Sequence, residues 1–252
     1  MTAGMRTDGD RLLRRIEELA TIGPIEGGGS CRLALTEEDR LGRDLVVAWM
    51  RDLGLDVTID GIGNVVAVRP GRLEGPPTMT GSHIDTVRTG GRYDGNLGVL
   101  AGLEVIETLA ENGVETEHPL AVAFFTDEEG SRFPPDMLGS LVYVGGLGLE
   151  EALDISGIDD AVVGDELERI GYRGVAPCPG PAPRAFVELH IEQGPVLEAE
   201  GTTIGAVTGV QGISWTEFTI EGQSNHAGTT PMHLRHDAGY AAAAIAAHVR
   251  LL

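Results

Sequence analysis

The sequence predicts an α/β protein: a mixed, mostly parallel sheet sandwiched by helices, followed by the start of a smaller α+β domain. Three observations lead there. Helical and strand periodicities alternate along the chain, the pattern of helices layered on a sheet. Residues 120–125, Leu-Ala-Val-Ala-Phe-Phe, are apolar without interruption, as a strand covered on both faces must be. After about Gln211 a cleanly alternating segment opens a second pattern. With 252 residues, 42% of them hydrophobic, the chain has room for one large domain or two small ones.

In order, residues 7–20 predict a helix burying Leu12, Leu13, Ile16 and Leu19. A Gly-rich loop, 23–30, follows. Thr36-Glu37-Glu38-Asp39 predicts a capped helix start, with Leu41, Leu45, Trp49 and Leu53 inward and Gly54 as its stop. Residues 56–60, 64–68 and 78–84 predict strands, separated by Pro and Gly turns. The loop 85–95 leads into an apolar helix, 96–111, and then the buried strand 120–125. Residues 139–174 read as mostly helical and 178–183 as a Pro-rich connector. Strands are expected at 185–191, 201–210 and 212–220, and an Ala-rich helix from after Asp237 through Ala247. The chain is expected to stop inside that helix. The domain boundary is set near Gln211, giving a catalytic domain, 1–211, and the beginning of a lid, 212–252.

Charge excludes several functions. Eighteen basic residues stand against 39 acidic, a net charge of −21, and every basic residue is arginine. Such a field repels nucleic acid and anionic membranes. With no lysine there is no lysine-based covalent catalysis. No window is long and apolar enough for a membrane span, and residues 1–10 are too polar for a signal core. The expected location is the cytoplasm. Two distant cysteines, Cys31 and Cys178, make neither a disulfide framework nor a thiolate zinc site.

Three strand ends carry chemistry. The first reads Gly81-Ser82-His83-Ile84-Asp85, continuing to Asp94-Gly95-Asn96. His83 sits where open α/β sheets place ligands. Asp85, two residues on, points the same way and could orient the imidazole. The second, Thr126-Asp127-Glu128-Glu129, sets three acids at a buried strand end, a repulsive arrangement that a metal would offset. Glu128 and Glu129 point oppositely and could divide general-base and ligand roles. The third is Glu188-Leu189-His190-Ile191-Glu192-Gln193. A converging N/O set of this kind suits Zn, Mn, Co or Ni. His226, in Ser224-Asn225-His226-Ala227-Gly228, lies in a turn after an exposed strand, where a plain loop histidine is the simpler alternative.

These strings, GSHIDTVRTGGRYDGNLGVLAGLE, FTDEEGSRF, ELHIEQGPVLE and SNHAGTTPM, resemble the M20 metal-dependent amidohydrolases. Within that group they are similar to the branch of N-carbamoyl-L-amino-acid hydrolases, allantoate amidohydrolases and β-ureidopropionases. The resemblance runs from about residue 10 onward. It implies two divalent metal ions bridged by Asp94, with His83 and His190 on one and Glu129 on the other. It implies Glu128 as general base, Asp85 as a carboxylate behind the ligands, and His226 as a lid histidine stabilising the oxyanion. Gln193 is implied to lie near substrate. The reaction implied is metal-assisted hydrolysis of a small-molecule ureido or amide C–N bond, by a protein that forms a homodimer. Members of this family are longer, and their later segments supply a further metal histidine and substrate-gripping Asn and Arg residues.

Alternatives stand beside this expectation. The chain could be a non-catalytic truncated fragment or a partner-binding module, or it could belong with other M20 amidases such as aminoacylases. A dinucleotide-binding protein is disfavoured, because no G-x-G-x-x-G follows the first strand.

Overall fold

The computed structural model describes residues 4–251. The expectations placed on Met1 to Ala3 and on Leu252 fall outside the described residues. Helix α1 (Gly9–Leu19) begins where the Asp8 side chain accepts from the Arg11 N–H, and α2 (Glu37–Asp52) where Thr36 accepts from the Asp39 N–H. Strands β1 (Asp56–Ile59), β2 (Val65–Arg69) and β3 (Thr78–His83) follow, then α3 (Asn96–Glu111) and β4 (Leu120–Phe125). Three short helices, α4 (Leu138–Tyr143), α5 (Leu149–Leu153) and α6 (Val163–Ile170), precede β5 (Ala185–Val187).

The strands form one five-stranded sheet in the order β1-β2-β4-β3-β5. It is mixed, as expected. β1, β2 and β4 pair antiparallel, whereas β4, β3 and β5 run parallel. Two cores cover it. Val65, Ala67, Val122 and Phe124 join the large core with Leu100 and Leu103 of α3. Their alternate neighbours Ala121 and Ala123 join a small core with Met79 and Tyr143. This is the period-2 alternation of a sheet buried on both faces. Helix α3 lies close enough that a Cβ at Gly102 would come within 2.7 Å of Thr80 Cγ2.

The buried face of α2 differs from the expected one. Asp39, Gly42, Arg43, Val46, Val47 and Met50 are buried, while Leu41 is 43% exposed. Leu45, Trp49 and Leu53 pack only against the rim of the core. The cause is a buried ion pair: Arg43 Nε donates to Asp39 Oδ2 at 2.8 Å, and its guanidinium stacks 5.5 Å from the Phe124 ring and 5.2 Å from the Tyr172 ring. Leu13 of α1 is likewise exposed, whereas Ile16 and Leu19 are buried.

The chain divides into two compact units, Met1–Pro195 and Val196–Leu252, a division ahead of the expected Gln211 boundary. The second unit holds α7 (Val196–Glu200), a single 3-10 turn (Met232–Leu234) and α8 (Ala238–Val249). The strands expected at 201–210 and 212–220 are not formed, and β5 is shorter than the 185–191 expected. A strand needs a ladder partner, and none pairs with these segments among the described residues. Their alternating side chains stay exposed, Val207 at 86% and Trp215 at 93%. Helix α8 ends at Val249, and the Leu251 N–H then donates to His248 O at 2.9 Å, a tighter i→i−3 closure of the last turn. Among the described residues no helix is long and apolar enough to cross a membrane.

Phe124 is fully buried beneath the Arg43 guanidinium. Phe124→Ala should lower the free energy of urea unfolding by about 3–5 kcal/mol. Val105→Ala, at a 45% exposed position, should change it by no more than about 0.5 kcal/mol. Equal losses from the two would contradict this assignment of the core.

Candidate metal centre

The parallel strands β4, β3 and β5 deliver three residue groups to one edge of the sheet. Asp127 to Glu129 follow β4, His83 ends β3, and Glu188 to His190 follow β5. Asp94 arrives from the loop that closes onto the start of α3, and Gly95 lets it do so. Gly95 has φ +63°, and a Cβ there would press to 2.5 Å from His83 Nε2.

The two histidines present the same nitrogen. His83 Nδ1 lies 2.9 Å from the Asp85 carbonyl oxygen, and His190 Nδ1 lies 2.8 Å from the Ile191 carbonyl oxygen. A carbonyl only accepts, so in the neutral ring Nδ1 carries the proton and Nε2 keeps its lone pair. Both lone pairs converge on Asp94 Oδ1, which is 3.2 Å from His190 Nε2 and 3.9 Å from His83 Nε2. That oxygen is buried without a hydrogen-bond partner. The other carboxylate oxygen, Oδ2, accepts from the Gln193 amide. Three acceptors facing one another are mutually repulsive unless a cation lies among them. Ligand atoms around a tetrahedral ion with bonds of about 2.0–2.2 Å stand roughly 3.3 Å apart. His83, Asp94 and His190 offer atoms all within 4.8 Å of one another, so this donor set fits a divalent metal.

The acids behind this set are held against their preference. Burial, reinforced by the Asp85 charge, pushes the Asp127 carboxyl up to about 9. Burial also raises Glu129, to about 7; the His83 charge opposes the rise, and Asp94 and Asp85 add to it. Glu128 is raised by burial too, again opposed by His83 and reinforced by Asp85. For His83, burial disfavours the charge, but Asp85 and Glu128 outweigh it and its pKa rises. Asp85 acts differently from the sequence expectation. Its carboxylate stands 3.9 Å from His83 Nδ1 and instead accepts the backbone N–H groups of Glu128 and Glu129, each at 3.3 Å. The backbone carbonyl of Asp85, rather than its side chain, orients the His83 ring.

Glu128 and Glu129 line the same cleft of about 170 Å³ as His83, Asp94 and His190. Glu128 Oε2 approaches His83 Nε2 to 3.4 Å. Glu129 stands outside the tight ligand group. His226 belongs to the second unit. Its Nδ1 accepts the N–H groups of Gly228, at 3.1 Å, and Thr229, at 3.2 Å, so the neutral ring keeps its proton on Nε2 and offers a donor. Sequence reasoning missed Asp136, which also lines the cleft. It is brought there by a fold-back in which the Met137 N–H donates to Glu128 O at 2.7 Å. No spacing in the sequence signals that return. Also missed was Glu188, which accepts from the Ser82 hydroxyl beside His83.

Residues 79–251 match the model of peptidase family M20/M25/M40. The chain belongs to this family. It is 44% identical to an N-carbamoyl-L-amino-acid amidohydrolase of Rhizobium meliloti, over 95% of this chain and 58% of that protein. It is 43% identical to one of Geobacillus stearothermophilus, over 94% and 59%. A solved hydantoinase/carbamoylase family amidase of Burkholderia ambifaria is 48% identical, with a TM-score of 0.86 over 98% of this chain and 61% of that one. The chain thus spans about three fifths of the length of these relatives.

The raised carboxyls set a pH trend for the metal-free protein. Glu129, at about 7 against 4.5, and Asp127, at about 9 against 3.8, bind more protons folded than unfolded between those values. Their contribution to stability therefore falls as pH rises through that window. The raised His83 contributes stability that is likewise lost as pH rises through its folded value. The Tm of chelator-treated protein should fall between pH 5 and pH 8, and excess zinc or manganese at pH 8 should restore it. A metal-free Tm that climbs over this range would contradict the electrostatics.

Proposed function

We propose that this chain carries the metal-binding catalytic part of a hydrolase that cleaves a linear ureido or amide C–N bond. Candidate substrates are N-carbamoyl-L-amino acids, allantoate and ureidopropionate. One observation carries the reading: the Nε2 lone pairs of His83 and His190 converge on the unpartnered Asp94 Oδ1. The similarity to N-carbamoyl-L-amino-acid amidohydrolases supports the substrate class.

His83, His190 and Asp94 would hold one divalent ion, and Asp94 with Glu129 a second. Zinc, manganese, cobalt or nickel each suit this set. Bound there, the ions supply Lewis acidity toward the substrate carbonyl and toward water. The remaining work falls to the chain. Glu128, with its raised pKa, accepts a proton from the attacking water and returns it to the leaving nitrogen. Asp85 fixes the Glu128-Glu129 turn through two backbone hydrogen bonds. The resemblance assigns His226 the stabilisation of the oxyanion, and a proton held on its Nε2 suits that role. Gln193 holds Asp94 and borders the substrate. Residues 1–211 are assigned to the catalytic domain and 212–252 to the lid. The exposed Ile213, Trp215 and Phe218 support a homodimer, and the two free cysteines fit a reducing cytoplasm.

A second reading is a metal-binding chain without turnover. Glu129 standing outside the compact ligand group favours it. Calorimetric titration with zinc or manganese, paired with an assay for ammonia and amino-acid release from N-carbamoyl-L-amino acids, separates the two. Two bound ions with chelator-sensitive turnover support the hydrolase. One ion and no turnover support the second reading. Within the hydrolase reading, Glu128→Gln should keep metal binding and lower kcat roughly 10²–10⁴-fold. His226→Ala should lower kcat about 10²–10³-fold with KM little changed. Full activity in Glu128→Gln would remove the general-base assignment.

A further inference from the structure

Arg32 is fully buried, yet among the described residues its guanidinium hydrogen-bonds to no carboxylate. Its donors go instead to four neutral oxygens. Nε donates to Ile84 O at 3.2 Å, Nη1 to Leu19 O at 3.2 Å and Ile22 O at 3.1 Å, and Nη2 to Asn96 Oδ1 at 3.1 Å. Two of these acceptors are the shoulders of the loop that carries the ligands. Ile84 lies between His83 and Asp85, and Asn96 follows Asp94 and Gly95. The Asn96 amide goes on to donate to Arg92 O at 3.2 Å, and the Asn96 N–H donates to Asp94 O at 2.6 Å. The backbone of Arg32 is tied to the same loop, its N–H donating to Thr86 Oγ1 at 2.8 Å and its carbonyl accepting from the Thr86 N–H at 2.9 Å.

We infer that Arg32 is a positioning residue for the metal centre: it clamps both ends of the 84–96 loop and so sets the spacing between His83 Nε2 and Asp94 Oδ1. A planar fork is needed for this task. One rigid group reaches acceptors on the α1 C-terminus, the end of β3 and the start of α3 at once, which a lysine ammonium cannot do. A cation buried against carbonyls has no folding advantage over an apolar side chain of similar volume. It does give the loop a single geometry. The inference rests on His83, Asp94 and His190 holding a metal.

The test uses the whole chain, stripped with chelator and titrated with zinc alone by calorimetry, well below the Tm of every variant. Arg32→Lys should weaken zinc binding by roughly 10–100-fold, the usual cost of removing a group that orients metal ligands. Arg11→Ala is the control for stability alone. It breaks the pair between Arg11 and Glu104, 2.7 Å apart, and should lower the metal-free Tm without changing zinc affinity. Asn96→Ala removes one arm of the clamp and should weaken zinc binding in the same direction; it carries the test if Arg32→Lys does not fold. Wild-type affinity in Asn96→Ala and in any folded Arg32 variant would overturn the clamp. An equal affinity loss in Arg11→Ala would overturn it too. A wild-type chain that binds no zinc would instead overturn the metal centre beneath it.

Discussion

Everything at this site follows from three parallel strands ending along one edge. Where β4, β3 and β5 stop, their following residues have no ladder partner and turn toward the same space. One end supplies His83, another the acidic turn and the third His190. The helices on the faces of the sheet, α3 above all, then fix how far the loops between these ends can travel. Asp94 reaches the two imidazoles because α3 starts immediately after it, and because the chain at Gly95 adopts a conformation that only glycine takes without strain.

Backbone hydrogen bonds divide the three histidines into two chemical kinds. Where a carbonyl meets Nδ1, as at His83 and His190, the ring becomes a lone-pair donor at Nε2. Where backbone N–H groups meet Nδ1, as at His226, the ring becomes a proton donor at Nε2. No charged neighbour is needed for this sorting. It leaves the carboxylates free for other work, and Asp85 accordingly serves the Glu128-Glu129 backbone. The price of the arrangement is a set of buried acids with raised pKa values, a condition that a bound cation would oppose.

The site was more legible in the sequence than the packing around it. A histidine or an acid directly after an apolar run marks a strand end, and the parallel order of the strands brings such ends together. The inward face of α2 was not legible from its apolar residues, because Arg43 and Asp39 neutralise each other and take the core face that the leucines were expected to fill. Alternation at 212–220 reads as a strand in the sequence, but a strand also needs a neighbour, which alternation does not report. The ring orientations and the position of Asp136 depend on carbonyls and fold-backs that have no residue code. Arg32 lies between the Gly-rich loop 23–30 and the helix start at Thr36, a stretch that carries no periodicity or motif.

The shortness of β5 leaves the three metal donors unequally supported. Val187, the last residue of this three-residue edge strand, is 62% exposed, and His190 follows it on chain that has no ladder of its own. His83, by contrast, ends a six-residue strand in the middle of the parallel half. Local opening is easiest where few backbone hydrogen bonds and little apolar burial resist it. Among the described residues His190 is thus the donor with the least backbone support and His83 the one with the most, so a bound ion would meet its most yielding ligand at His190.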